Sequence, residues 1–141
     1  MGMYSYFETQ EGIKINLEIL KSEMEKSDIK DYLDTEQWER LKQGDEIGLI
    51  MDGWKIQGYW YADFCKFLFC IANSIPKENL GNSLTRQPYN YISFRYEEGY
   101  PFDIFFFWDE TENKPAVEVE YTPLEKQTIT TEELTKYAEG Y

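Results

Sequence analysis

Apolar positions recur with two different periods along this chain. Ile13, Ile15, Leu17 and Ile19 alternate with Lys14, Asn16 and Glu18, the spacing of a strand with one wet face, and 4–7 reads as a shorter strand set before Gly12. Ser27 and Asp28 then offer an N-cap, with Ile29, Tyr32 and Leu33 following at helical spacing. A second start at Thr35 leads through Trp38 and Leu41 to Gly44, placed where the left-handed residue after a helix belongs. Segment 28–43 is therefore one broken helix or two short ones. Apolar runs at 47–51 and 54–60 flank Asp52-Gly53; that dipeptide predicts a type I′ hairpin, because both central residues of the turn need positive φ. Gly44, Gly48, Gly53 and Gly58 read as turn and bulge positions.

From Asp63, Phe64, Phe67, Leu68, Ile71, Ala72 and Ile75 recur at steps of three and four, and Pro76 stops the run, which predicts the central core helix. Residues 77–88, with only Leu80 and Leu84 apolar, read as a long loop. Aromatic-rich strands follow at about 89–96, 100–108 and 116–121, joined by Glu97-Glu98-Gly99 and by 109–115, an antiparallel meander. Thr130 and Glu133 form a capping box for a closing helix that turns Leu134, Tyr137 and Ala138 inward. The expected fold is one α+β domain over 1–141: an antiparallel sheet, made of the Asp-Gly hairpin and the aromatic meander, packed by a central amphipathic helix and shorter flanking helices.

Composition supports a real core. Of 141 residues 42% are hydrophobic and 18% aromatic, far from the make-up of a disordered chain. Cys65 and Cys70 lie five apart on one predicted helix and cannot face each other, so they read as reduced core thiols. Neither a leader pattern nor a long apolar span stands out, which makes the cytoplasm the expected compartment.

Charge narrows the function classes. The net charge is −13, so a phosphate backbone is repelled and a charged partner should be basic. Residues 97–141 carry 12 carboxylates against 3 lysines. The chain has no histidine, which removes Ser-His, Cys-His and His-metal arrangements, while carboxylate-only chemistry stays open. Asp109, Glu110, Glu112 and Asn113 make an oxygen-rich turn that lacks the EF-hand pattern, so a solvated hairpin turn outweighs a cation site there. No metal or cofactor is expected. The run Phe102, Phe105, Phe106, Phe107 and Trp108 is too continuous for a sheet with one wet face; either its second face is covered from within the chain, the simpler reading, or it meets a partner.

The acidic residues carry the sharpest expectation. Asp28, Asp31 and Asp34 recur every three residues, Glu36 and Glu39 follow, and Glu118 and Glu120 share one face of the last long strand. With Asp109, Glu110 and Glu112 they are the candidate partner-binding set, weighed against a merely solubilising surface. The function expected is that of a non-enzymatic inhibitor occupying the basic, nucleic-acid-binding surface of a partner protein such as a nuclease, as a monomer or homo-oligomer, with no direct contact to nucleic acid or membrane. In composition alone the chain resembles small acidic inhibitors of phages and mobile elements, anti-CRISPR and nuclease-immunity proteins among them; no motif assigns it to a family. The alternative is a nucleotide-sequestering protein that stacks its ligand on Tyr59, Tyr61, Tyr89 or Tyr91 and meets a phosphate with Arg86 or Arg95.

Overall fold

A computed structural model describes residues 5–8, 13–51, 62–87, 91–96, 102–121 and 127–140. The chain builds an α+β fold in the order β1 (Ser5–Glu8), α1 (Leu17–Lys26), α2 (Thr35–Lys42), α3 (Ile47–Ile50), α4 (Ala62–Ser74), β2 (Gly81–Asn82), β3 (Tyr91–Tyr96), β4 (Phe102–Asp109), β5 (Lys114–Tyr121), β6 (Gln127–Ile129) and α5 (Thr131–Ala138). The sheet runs β1-β3-β4-β5-β6, all neighbours antiparallel. β2 adds a short parallel pairing to Phe107 and Trp108, along the same side of β4 as β3 but beyond its end. The expected aromatic meander is thus β3-β4-β5.

Alternation along β4 decides what each face of the sheet does. Phe102, Ile104 and Phe106 enter the main core, joined from β5 by Val117 and Val119, and α4 lies on this face. As its spacing predicts, Phe64, Phe67, Leu68 and Ile71 are at most 1% exposed, each adding about 1.5–3 kcal/mol relative to a solvated side chain. Cys65, Cys70 and Ala72 are buried as well, because α1 and α5 flank α4 on its other sides. Both cysteines are free thiols. At the other end of the molecule's sequence, Thr131 donates to the Val117 carbonyl at 2.6 Å and ties α5 to β5.

The predicted strand at 13–19 is corrected to an extended lead-in followed by α1. The Asn16 amide donates to the Ser74 carbonyl at 2.8 Å while its side chain accepts from the Ile19 amide at 3.1 Å; this N-cap starts a helix where a strand would have continued. Leu20 and Met24 then point inward and Ile19, an inward position in the strand reading, is 43% exposed. Nor does Asp28 begin a helix: it ends one. Asp28 (φ +61) donates its amide to the Glu25 carbonyl and Ile29 donates to that of Met24, a Schellman ending. The broken helix at 28–43 resolves into non-helical turns and α2, capped by Asp34 rather than starting unaided at Thr35: Asp34 accepts from the Gln37 amide, and the Gln37 side chain accepts from the Asp34 amide, both at 2.8 Å. The end of α2 repeats the Schellman pattern with Gly44 at φ +102, as expected.

The first arm of the predicted hairpin is also corrected. Ile47–Ile50 form the helical turn α3, with Ile47, Gly48 and Ile50 buried, so Gly48 is a helical packing position rather than a turn or bulge. Asp52-Gly53, Gly58 and the second arm at 54–60 lie outside the described residues. The stretch read as a loop from 77 holds a short 3-10 turn, Lys77–Asn79, and β2. No helix of the described residues is long and apolar enough to cross a membrane.

Candidate functional site

The face of the sheet turned away from α4 carries the clustered chemistry. Asp103, Phe105, Phe107 and Asp109 alternate with the core positions of β4, and Lys114, Ala116, Glu118 and Glu120 with those of β5. The pairing register sets Asp103 opposite Glu120, Phe105 opposite Glu118, Phe107 opposite Ala116 and Asp109 opposite Lys114, with Ser93 of β3 on the other side of Asp103. Two carboxylates directly across a ladder repel. Asp103 is stabilised by the Ser93 hydroxyl, which donates at 2.6 Å. Glu120 accepts at 3.1 Å from the Arg86 guanidinium, and the same nitrogen donates to Glu118.

Arg86 completes this face from the loop after β2. Its guanidinium carbon lies 4.4 Å from the centre of the Phe105 ring, a cation–π placement. Phe105 and Phe107 stack at 5.4 Å and 9° and form with Ala116 a small second core, against which Tyr91 packs. Here the long aromatic run finds its explanation: one set of side chains faces α4, the other is buried on the far face, roofed at Phe105 by Arg86 and, among the described residues, not by a helix. A cavity of about 220 Å³ opens beside the ion pairs, lined by Arg86, Tyr91, Asp103, Phe105 and Glu120.

The eight candidate acids divide into two groups on opposite sides of the sheet. Asp109, Glu118 and Glu120 belong to the outer face, and Glu110 and Glu112 sit exposed in the turn that joins its two strands. Asp109 also shapes that turn, its Oδ1 accepting from the amides of Thr111 at 2.9 Å and Glu112 at 3.2 Å, which is ordinary turn chemistry. Asp28, Asp31 and Asp34 instead flank Ile29 and Leu33, which enter the main core on the helical side. Asp34 is committed to its helix cap. Asp28 and Asp31 are exposed with no cationic partner among the described residues. Asp103, which the sequence reading passed over, joins the outer group. On this face and its turn six carboxylates stand against two cations, Arg86 and Lys114, among the described side chains.

The remaining candidates contribute less. Of the four tyrosines proposed for stacking, Tyr91 lines the cavity, whereas Tyr59, Tyr61 and Tyr89 lie outside the described residues, as does the side chain of Arg95. A larger groove of about 380 Å³ between α1 and α2 has Leu17 and Trp38 in its lining, but its rim balances Glu18 and Glu39 with Lys21 and Lys42. The described residues hold no group of three or more Cys, Asp or Glu placed for a metal ion. Comparison with protein-family models, with curated proteins and with solved structures finds no match for this chain.

Proposed function

We propose that this chain is a non-enzymatic acidic binding protein that inhibits a partner by covering its basic, nucleic-acid-binding surface with the outer face of β4 and β5 and the turn between them. The observation that carries the reading is the gathering, among the described side chains, of six carboxylates against two cations on one side of the sheet. Four of them, Asp103, Asp109, Glu118 and Glu120, are mounted on paired strands, so their spacing is set by the ladder, and Glu118 and Glu120, neighbours along one face of β5, are separated by about 7 Å, while Glu110 and Glu112 extend the charge into the turn. The alternative, nucleotide sequestration through Arg86, draws less support: this guanidinium is already shared between Glu118 and Glu120, and a phosphate would have to displace both beside a third carboxylate, Asp103.

The test begins with affinity capture from the native host using the purified chain as bait, followed by competition on the recovered protein. Release of that protein's bound DNA or RNA by stoichiometric amounts of this chain supports the reading. Recovery of a partner whose nucleic-acid binding is unaffected, or of a nucleotide co-purifying with the chain, overturns it.

A further inference from the structure

The outer face is bordered by a loop that holds one apolar side chain in solvent. Leu84 is 90% exposed, against 43% for Ile19 and 39% for Leu49, the next most exposed large hydrophobic residues described. Single exposed leucines are common and need no explanation by themselves. What distinguishes Leu84 is how and where it is held. The Asn82 side chain accepts from the amides of Leu84 at 2.8 Å and Thr85 at 3.0 Å. Across the neck of the loop Asn82 donates to the Gln87 carbonyl at 3.0 Å, and Arg86 donates to the Asn82 carbonyl at 2.9 Å. Arg86 itself adopts φ +62, a conformation that costs a non-glycine residue energy and persists where surrounding contacts fix it. Those contacts are the pairs to Glu118 and Glu120 and the Phe105 ring.

Position follows from register. β2 runs parallel to Phe107 and Trp108, which carries the loop tip toward the end of β4, where Asp109, Glu110 and Glu112 form the acidic turn. The chain then returns so that Arg86 reaches the outer face. Leu84 is thus set at the edge of the acidic surface by the same ion pairs that organise that surface.

We infer that Leu84 is the apolar anchor of the acidic interface, inserted into an apolar recess between basic side chains of the protein partner; this rests on the binding reading given above. Charge complementarity selects the partner, since an apolar tip at the edge of an acidic surface is carried away from an acidic or phosphate-bearing surface and drawn to a basic one. The hydrogen bonds that hold the loop lower the entropy lost when the anchor is immobilised, and a side chain buried inside a surround that excludes water is the arrangement that concentrates binding energy.

Two synthetic peptides of equal positive charge test it, one built of Lys and Ser and the other with Leu at regular intervals in place of Ser, each titrated against the purified chain at about 50 mM salt, where charge attraction is long-ranged. The expected result is tighter binding of the leucine-containing peptide by about fivefold or more, a difference lost in Leu84→Ser and kept in Leu84→Met, with Lys-Ser peptide affinity unchanged throughout. Thermal unfolding of Leu84→Ser should match the parent, as expected for an exposed side chain. Equal binding of both peptides, or a leucine preference that survives Leu84→Ser, overturns the anchor while leaving the acidic surface standing. Binding of neither peptide removes the reading beneath it. A parent chain that sediments as a dimer and becomes monomeric in Leu84→Ser assigns the anchor to a second copy of this chain and overturns the basic partner.

Discussion

Arg86 donates from one guanidinium nitrogen to Glu118, a residue 32 positions away on the neighbouring part of the sheet, and both side chains are more than half withdrawn from solvent. Together with the bond from the same nitrogen to Glu120, the pair joins the loop after β2 to β5. Removing the cation would leave Glu118 and Glu120 on one face, with Asp103 opposite Glu120. Arg86→Met, which keeps much of the aliphatic cover over Phe105, should therefore destabilise the protein by about 1–3 kcal/mol, with a lower urea midpoint. The loss should shrink when Glu118→Gln and Glu120→Gln are added. Lys42→Met provides the contrast, because its pair with Glu39 is 3.4 Å long and largely exposed, so no more than about 0.5 kcal/mol is expected there. Equal costs for the two cations would contradict the partly buried network.

Gly44 ends α2 at φ +102, and a Cβ built there meets nothing within 4 Å. Any penalty for a side chain is therefore conformational and not a clash. Gly44→Val should cost more than about 1 kcal/mol and Gly44→Asn distinctly less, since Asn tolerates the left-handed region and a β-branched residue does not. Thermal midpoints of the two variants read the difference directly; equal midpoints would mean that the α2 ending can relax into another turn.

These elements were legible in the sequence to the extent that local chemistry decided them. Gly44, the Thr130–Glu133 cap and the three-and-four spacing from Phe64 to Ile71 all name their structure from side-chain identity and period. The misread segments are those where period and tertiary contact disagree. Ile13 to Ile19 alternate well enough for a strand, yet the Asn16 cap and the long-range bond from its amide to Ser74 start a helix, and a contact 58 residues away leaves no local trace. The apolar run at 47–51 is too short for its period to separate strand from helical turn, while β2 and β6, two and three residues long, gain their identity only from the strands beside them. The outer face was half readable. Glu118 and Glu120 were placed together by alternation, but Asp103 emerges opposite Glu120 only once Asp109 and Lys114 are known to close the hairpin, and the tether from Arg86 crosses a loop whose path the sequence does not encode.

Burial pushes the Cys65 thiol from an ordinary 9.0 up to about 12, and Tyr32 is raised well above its ordinary value by burial first, with Asp63 and Cys65 adding to it. The folded state keeps protons that the unfolded chain gives up at lower pH. The corresponding stability is complete below about pH 9 and is withdrawn as pH rises from there toward 12, the unfolded state releasing its proton first. Urea midpoints should accordingly fall between about pH 8 and pH 10.5. Cys65→Ala, although less stable overall, should show a shallower fall. An identical slope in the variant would mean that the Cys65 proton is not retained on folding.

The two acidic groups make different predictions for binding, and charge reversal separates them. Glu110 and Glu112 are exposed at the turn of the outer face and have no ion pair among the described residues, so Glu110→Lys with Glu112→Lys should change stability by no more than about 0.5 kcal/mol. Glu118→Lys with Glu120→Lys is not an equivalent probe, because it sets two new cations against Arg86 and should destabilise the fold. The helical-side control is Asp31→Lys, exposed and likewise unpaired. If the outer face meets the basic partner, association of the parent should slow at least about tenfold when salt rises from about 50 to 500 mM, as the Debye length contracts from roughly 14 to 4 Å. At low salt the Glu110/Glu112 reversal should reproduce much of that slowing, with a flatter salt dependence, and Asp31→Lys should do so weakly. Stopped-flow association with the captured partner gives all three curves. A larger effect from Asp31→Lys would move the interface to the helical side of the sheet, and a salt-insensitive rate in the parent would remove charge as the basis of recognition altogether.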